Sequence, residues 1–261
     1  MDSLAALRLQ IEWGADEALD EAPVDRMAVR ASAPKQPDVL PSLDRLVAPP
    51  APARPAVIAP AKRAQEAATA AQTRTELRAA LEAFEGCGLS ATATSLVFDD
   101  GNAESGLMLI GEGPGAEEDR AGRPFVGASG QLLDRMLASV GLDRTKLLIT
   151  NLIPWRPPGN RNPTDAEVLI CMPFLLRHIA LVKPRYLVLL GAISTQSVLG
   201  TKGGIARQRG RWVEARIPGL DAGLPTLPML HPAYLLRNPG AKAQAWADML
   251  SLRRKLDSNA K

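Results

Sequence analysis

The chain has 261 residues, 46% of them hydrophobic and 4% aromatic, with two cysteines and a formal net charge of +3 at pH 7. This composition allows a sizeable core in one large or two small domains, and it argues against both a disulfide-rich secreted scaffold and binding of polyanions through global charge alone. Since no apolar run approaches the roughly 20 residues of a membrane helix, and the acidic N-terminus lacks the order of a signal peptide, we expect a soluble cytoplasmic protein without membrane contacts.

The first 64 residues differ in composition from the remainder of the chain. Residues 1–18 contain apolar residues at helical spacing, which predicts a short helix, either for docking a partner protein or as a loosely packed terminal helix. Residues 19–64 are rich in alanine and proline and poor in aromatic residues, and such a stretch cannot offset its ordering entropy. The pattern predicts a flexible linker over 19–64 and a folded domain over 65–261.

Helical and strand-like patterns alternate from residue 73 onward. Apolar periodicity and capping residues predict five helices. They lie near 77–84, from the N-cap candidate Ser129 to Val140, from Thr164, which forms a capping box with Glu167, to about Leu181, after Gly191, and over about 241–256. Short apolar runs predict strands at 107–110, 147–150, 186–190, 211–216 and 228–230. This alternation favours a parallel sheet covered on both faces, with the strand ends at 111, 151, 191 and 231 sharing one rim.

The segment 111–127 follows a short strand and combines glycines, carboxylates and an aromatic residue. Its glycines allow the backbone to approach a ligand closely, which suits a tight turn or a phosphate cradle as well as a base-binding loop. Residues 111–119 contain no lysine or serine, and neither common phosphate-binding fingerprint is present, so a nucleotide-binding enzyme ranks last. Together with Asn151 and the segment 231–239, the loop indicates an enzyme that holds one nucleobase.

Three separated motifs carry a resemblance to a known family: GEGPGAEEDRAGRPFVGASGQLLD from Gly111, TNLIPWRPPGNRNPT from Thr150 and HPAYLLRNP from His231. In order and spacing they resemble the family 4 uracil-DNA glycosylases of bacteria and archaea, over about residues 75–256. The resemblance implies a three-layer α/β/α domain that flips deoxyuridine out of DNA and hydrolyses its N-glycosidic bond in base excision repair. We therefore expect a monomer that acts on uracil-containing DNA in the nucleoid.

The resemblance assigns uracil binding to four residues. Phe125 stacks on the flipped base, and the amide of Asn151 matches uracil O4 and N3–H. His231 donates to uracil O2, where negative charge builds as the bond breaks. Gly113 belongs to the same pocket. A plain core phenylalanine and a turn asparagine are the structural alternatives.

Four neighbouring carboxylates are candidates for placing the attacking water. In another branch of the superfamily a carboxylate occupies the position of Gly113, so that direct equivalent is missing here. We favour Glu112 and Glu118 jointly, whereas Glu117 and Asp119 read as an ordinary solvated acidic turn. The segment between Gly115 and Phe125 shows no inserted basic loop of the kind that traps DNA covalently, so ordinary turnover is expected.

Residues flanking the rim are candidates for contacts with phosphates or with the gap left by base flipping. They are Arg120, Arg123, Arg156, Arg161, Leu235, Leu236 and Arg237. Surface arginines commonly serve solubility alone, and the sequence leaves open which residue from Leu235 to Arg237 inserts into the duplex.

Members of family 4 usually carry an iron-sulfur cluster on four cysteines. In this chain Cys87 and Cys171 match two of those places, while Phe84 and Trp155 stand at the other two. Two thiolates cannot supply the four ligands of an ordinary cluster. We predict no cluster and no metal, with Phe84 and Trp155 packing as a small hydrophobic core.

Two functional hypotheses follow from these patterns. A monofunctional uracil-DNA glycosylase with Phe125, Asn151 and His231 as its pocket predicts alkali-labile breaks in uracil-containing DNA. A non-catalytic or slow-turnover protein that binds uracil or lesions predicts retarded DNA without product, and the intact trio counts against it.

Overall fold

The computed structural model describes residues 55–258, with side chains from residue 59 onward. The helices are α1 (Pro55–Ala70), α2 (Arg74–Glu82), α3 (Ala116–Ala121), α4 (Ala128–Ala138), α5 (Asp165–Val182), α6 (Ala192–Leu199), α7 (Ile205–Gln208), α8 (Pro232–Arg237) and α9 (Lys242–Ser258). The strands are β1 (Asp99–Gly101), β2 (Leu107–Gly111), β3 (Leu148–Asn151), β4 (Tyr186–Leu190), β5 (Val213–Ala215) and β6 (Leu224–Met229). Within 55–258, no helix combines the length and hydropathy that spanning a bilayer requires.

The six strands form one mixed sheet in the order β1-β3-β2-β4-β6-β5. The four inner strands are parallel, and β1 and β5 pair antiparallel at the two edges. The predicted α/β fold with a mostly parallel sheet is therefore confirmed. The sequence patterns missed β1, and they shortened β6, because Pro225 and Pro228 interrupt its apolar run.

Each face of the sheet is covered by its own helices, which makes three layers. Alternate strand residues point to opposite faces, so Met108, Leu148 and Leu187 pack with α1, α2 and α5. Their neighbours Leu109, Ile149 and Val188 pack on the other face with α4 and α9. The first face carries Cys87 and Cys171, and the second carries Phe125.

Helix α1 begins inside the stretch predicted as a linker. It starts at Pro55, and Ala64 and Ala68 are fully buried where α1 packs on α5. Alanine is the best helix former, and proline is well tolerated in the first turn of a helix. The predicted linker boundary at residue 64 is therefore wrong. The predictions for residues 1–18 and 19–54 lie outside the described residues.

The N-termini of two helices test the predicted caps. Thr164 Oγ1 accepts from the Glu167 amide at 3.3 Å, and Glu167 Oε2 accepts from the Thr164 amide at 2.8 Å, so the capping box of α5 is confirmed. The prediction that Ser129 caps α4 is wrong, because Gly127 is the N-cap. The Gly127 amide instead donates to a carboxylate from α3, that of Glu118.

Candidate active site

A cavity of about 570 Å³ lies at the carboxyl ends of the parallel strands. Glu112 follows β2, Asn151 ends β3, Gly191 follows β4 and His231 follows β6, and all four line the cavity. Parallel strands end at the same edge of a sheet, which is where open α/β folds bind ligands. The structure thus brings together the strand ends that the sequence placed on one rim.

Phe125 forms an apolar part of the cavity lining and is otherwise buried. Its φ of 55° lies in the left-handed region, which is unusual for an aromatic residue and costs about 1–3 kcal/mol. A Cβ at Gly111 would lie 2.5 Å from Phe125 Cζ, so the ring requires glycine there. The ring is stacked against that of His231, with centroids 5.7 Å apart and planes 30° apart.

Asn151 supplies a buried acceptor to the same cavity. Its side chain is 5% exposed, and its Oδ1 has no hydrogen-bond partner within the described part of the chain. Leaving a buried polar group unpaired costs about 1–3 kcal/mol. Such a group in a cavity lining points to a ligand that donates a hydrogen bond.

His231 is the N-cap of α8, and the geometry of that cap fixes its neutral tautomer. Its Nδ1 accepts from the Ala233 amide at 3.1 Å, so the proton of the neutral ring is on Nε2. Burial and the positive charge of Arg237 lower the pKa of His231 to about 4, against the opposing charge of Glu118. Near pH 7 the residue is therefore a neutral ring with an Nε2–H donor.

Glu112 lies between the ends of β2 and β4. Its Oε1 accepts from the Ile193 amide at 2.9 Å in the first turn of α6. Gly191, with a φ of 105°, makes room for it, because a Cβ at Gly191 would overlap the carboxylate. Burial raises the pKa of Glu112, while the amides at the start of α6 and the charge of Arg237 oppose the shift.

Glu118 is held differently, although it also lines the cavity. Its Oε2 accepts from the Gly115 amide at 3.0 Å and its Oε1 from the Gly127 amide at 2.8 Å. One buried carboxylate therefore joins the two ends of the loop that contains Phe125. Gly113 also lines the cavity, and a Cβ there would come no closer than 3.7 Å to a neighbour, so no close approach requires that glycine.

The remaining two acidic residues of the loop have different environments. Asp119 is buried, and its Oδ1 accepts from the amides of Thr94 at 2.8 Å and Ser95 at 3.1 Å. Reading Asp119 as part of a solvated turn is therefore wrong, because the preceding loop folds back over it. Glu117 is exposed, as that reading expects.

The arginines predicted to contact DNA are divided by the fold. Arg161 and Arg237 line the cavity and are exposed, and Arg161 is paired with Glu167 at 2.6 Å. Arg120 and Arg123 are exposed but do not line the cavity. Arg156 also lies outside the cavity lining, and it donates a hydrogen bond to the side chain of Asn160 at 2.7 Å.

The two leucines after His231 face different surroundings. Leu235 is 1% exposed and packs in a small core cluster, whereas Leu236 is 41% exposed. Leu235 therefore cannot insert into a duplex without leaving that core. Sequence reasoning missed Tyr234, which lines the cavity and is 42% exposed. Its position three residues beyond His231, on the same face of a short helix, is the signal that could have found it.

The cysteine positions form a buried apolar region. Cys87, Cys171, Phe84 and Trp155 all belong to the core on one face of the sheet. A hydrogen bond from Cys171 lowers the pKa of the Cys87 thiol to about 7, and the same contact raises that of Cys171. The described residues contain no group of three or more side chains able to hold a metal ion. The residues present do not fit a four-cysteine cluster.

The second histidine, His178, has a structural position. Its ring is stacked on Phe98 with centroids 4.6 Å apart, and its Nε2 lies 3.0 Å from Asp99 Oδ2. It is buried in α5, outside the cavity lining.

Comparison with known proteins agrees with this geometry. A family model described as the uracil DNA glycosylase superfamily matches residues 98–250. The chain is 38% identical over 167 residues to the Type-4 uracil-DNA glycosylase of Pyrobaculum aerophilum, covering 62% of this chain and 84% of that protein. It is 39% identical over 153 residues to the protein of the same description from Thermotoga maritima, covering 58% and 77%. The corresponding protein of Archaeoglobus fulgidus is 36% identical over 166 residues, covering 62% and 82%.

Proposed function

The chain belongs to the uracil-DNA glycosylase superfamily, and we propose that it removes uracil from DNA by hydrolysing the N-glycosidic bond, leaving an abasic site for base excision repair. One observation carries this proposal above the others. Asn151 Oδ1 is a buried acceptor without a partner among the described residues, in a cavity that Phe125 and His231 also line.

Uracil fits the polarity of this cavity. Its N3–H can donate to Asn151 Oδ1, and its O4 can accept from the amide nitrogen of the same side chain. Cytosine presents an acceptor and a donor in the reverse order, so its Watson–Crick edge leaves both groups unmatched. The ring of Phe125 offers an apolar surface to replace the stacking that a flipped base loses.

His231 serves the chemical step. As the glycosidic bond breaks, the uracil accepts the bonding electrons and negative charge develops on O2. An Nε2–H donor directed at that oxygen binds the transition state more strongly than the bound substrate, and this difference accelerates the reaction. The bond to the Ala233 amide keeps the donor nitrogen on the side away from the cap.

Glu112 is the better candidate of the two carboxylates for holding the attacking water. Both oxygens of Glu118 already accept from backbone amides, which supports a role in bracing the loop between Gly115 and Gly127. Glu112 is tied through Oε1 to the start of α6 while lining the cavity. We assign water placement to Glu112 and loop geometry to Glu118.

DNA contacts extend outward from the cavity. Tyr234 and Leu236 are exposed on α8, where Tyr234 lines the cavity and Leu236 does not, and we propose Leu236 as the wedge. We propose that Arg161 and Arg237, which line the cavity, contact the backbone around the flipped nucleotide. We further propose that Arg120, Arg123 and Arg156 are outer phosphate contacts. We propose that the enzyme acts as a cytoplasmic, nucleoid-associated monomer and that residues 1–18 bind a partner protein.

We also propose that the enzyme works without an iron-sulfur cluster. The free, buried thiols of Cys87 and Cys171 and the burial of Phe84 and Trp155 in the same core support this proposal. Iron and acid-labile sulfide should be absent from protein purified without air, and the visible spectrum should be featureless. Stoichiometric iron and sulfide would contradict it.

One assay tests the function. Wild type, Asn151→Ala and His231→Ala are incubated with an oligonucleotide carrying a single uracil, and alkali-labile breaks and gel retardation are both measured. We expect breaks with wild type and a loss of about 10²–10³-fold in rate with His231→Ala, the range for removing one such donor. Retarded DNA without product for wild type would favour the non-catalytic alternative.

The substrate range gives a sharper test of the base assignment. Asn151→Asp keeps the shape of the side chain and removes its N–H donor, so excision of uracil should fall and cytosine should compete better. An oligonucleotide with thymine in place of uracil is the control for steric exclusion, because thymine has the same hydrogen-bonding edge and an added methyl group. Unchanged discrimination between uracil and cytosine would refute the role of Asn151.

A further inference from the structure

The loop that carries Phe125 is held by an arginine from another part of the chain. Arg144 lies in a single 3-10 turn before β3, 19 residues beyond Phe125. Its Nη1 donates to the carbonyl oxygen of Pro124 at 3.1 Å, and its Nη2 donates to the carbonyl oxygen of Phe125. These two carbonyls flank the φ and ψ angles of Phe125, so the guanidinium restrains the backbone that aims the ring.

Two carboxylates hold the guanidinium in turn. Arg144 Nη1 donates to Asp100 at 2.7 Å, Nε donates to Asp134 Oδ1 at 3.0 Å, and Nη2 donates to Asp134 Oδ2 at 3.3 Å. Arginine has five N–H donors in one planar fork, and these contacts together with the two carbonyls employ all five. Since Asp100 is in β1 and Asp134 in α4, the fork is anchored to two regular elements.

The left-handed backbone of Phe125 explains why a clamp is needed. A φ of 55° is unfavourable for an aromatic residue and persists only where its surroundings enforce it. Gly130 leaves the necessary space, because a Cβ there would overlap the Phe125 carbonyl. Gly130 permits the conformation, and Arg144 provides the attraction that holds it.

We propose that Arg144 is a positioning residue for uracil recognition, which acts on the base only through Phe125. This inference rests on the proposed function, because it takes the Phe125 ring as the surface on which the extruded base stacks. Lysine cannot do the same work, since one compact ammonium cannot bond two carbonyls and two carboxylates in a fixed plane.

A double-mutant cycle tests the proposal. Single-turnover excision of uracil is measured for wild type, Arg144→Met, Phe125→Ala and the double variant. Because small misplacements of positioned groups can cost about 10²-fold in rate, we expect a loss of that order for Arg144→Met. In the Phe125→Ala background the same substitution should cause no further loss.

The matched control removes an arginine from the same edge of the sheet. Arg74 Nη2 lies 2.8 Å from Oδ2 of Asp99, the residue of β1 that precedes Asp100. The hydrogen bonds of Arg74 do not involve the loop that contains Phe125. Arg74→Met should leave the excision rate unchanged. Arg144→Lys should lose nearly as much activity as Arg144→Met.

A structural measurement separates this proposal from the proposed function. Nuclear Overhauser contacts between the rings of Phe125 and His231, whose centroids are 5.7 Å apart, should weaken in both Arg144 variants and persist in Arg74→Met. If Arg144→Met does not fold, Asp134→Asn replaces it in the same double-mutant cycle, because this substitution weakens two of the five hydrogen bonds of Arg144. We expect a smaller loss of excision rate, and no further loss in the Phe125→Ala background.

Two results would overturn the role of Arg144. The first result is that the rate losses of Arg144→Met and Phe125→Ala multiply in the double variant. The second is that the contacts between the Phe125 and His231 rings persist in Arg144→Met while its excision rate falls. A wild type that excises no uracil would refute the proposed function, and the ring contacts would still decide whether Arg144 positions Phe125.

Discussion

The two faces of the sheet make opposite uses of polar and aromatic residues. On the face that carries Phe125, at the carboxyl ends of the strands, Asn151 Oδ1 has no hydrogen-bond partner among residues 55–258, and the backbone of Phe125 is left-handed. On the other face, the free thiols of Cys87 and Cys171 are buried beside aromatic side chains in a core. The comparison teaches that the cavity side holds a buried unpaired acceptor and a left-handed aromatic residue at a place where a ligand can offset their cost.

The contrast between the two faces predicts that substitutions affect the excision rate on one face and the free energy of unfolding on the other. Isosteric substitutions of polar cavity groups, such as Glu112→Gln, should change the rate of excision and leave the free energy of unfolding nearly unchanged, because they preserve the packing of the side chain. Substitutions in the cysteine region should do the reverse.

The largest expected effect on rate is that of Glu112→Gln. The amide oxygen of glutamine can still accept from Ile193, so the loop should keep its geometry while the negative charge is lost. Single-turnover excision should slow by about 10²–10⁴-fold, the range for losing a positioned acid or base. Glu117→Gln, an exposed neighbour of the same chemistry, is the control and should be silent. Equal losses in both variants would break the assignment to Glu112.

Phe84→Ala should be the largest destabilisation in the cysteine region. Phe84 is 9% exposed, and its ring contacts that of Phe174 edge-on with centroids 5.1 Å apart. Truncating a buried phenylalanine costs about 3–5 kcal/mol. Urea denaturation should show this loss, while excision per folded molecule below the transition should match wild type. A slowed excision step would show that the two faces are coupled.

Leu235→Ala and Leu236→Ala sharpen the comparison on a single helix. Leu235→Ala should lower the free energy of unfolding by about 2–5 kcal/mol, because it empties part of a core cluster. Leu236→Ala should change stability by less than about 0.5 kcal/mol, as exposed positions do, and should weaken binding to duplex more than to single-stranded DNA. Exchanged effects would mean that α8 is turned by one residue.

The smallest expected effect is the absence of a titration. Burial lowers the pKa of His231 to about 4, so its ring should remain neutral from pH 8 down to about pH 5 and gain a proton only below that. Ring carbon and proton shifts, assigned by their loss in His231→Ala, should stay constant over this interval. A midpoint near the ordinary histidine value of about 6.5 would contradict the buried neutral donor.

Local patterns in the sequence were sufficient for much of the fold. The capping box at Thr164 and the strand from Tyr186 to Leu190 depend on neighbouring residues, and both are found as predicted. The start of α1 was missed, because alanines that pack against α5 resemble linker composition until their partner helix is known.

The sequence by itself determined which polar residues follow the parallel strands, and therefore that Asn151 and His231 meet at one rim. Only the tertiary structure decided that Glu118 braces a loop, that Leu235 is buried beside an exposed Leu236, and that Arg144 reaches Phe125. The physical reason is the separation along the chain of the residues that interact. Strand and helix periodicity is set by adjacent residues, whereas hydrogen bonds and burial at these positions depend on segments that are far apart in the chain and meet only when the sheet assembles.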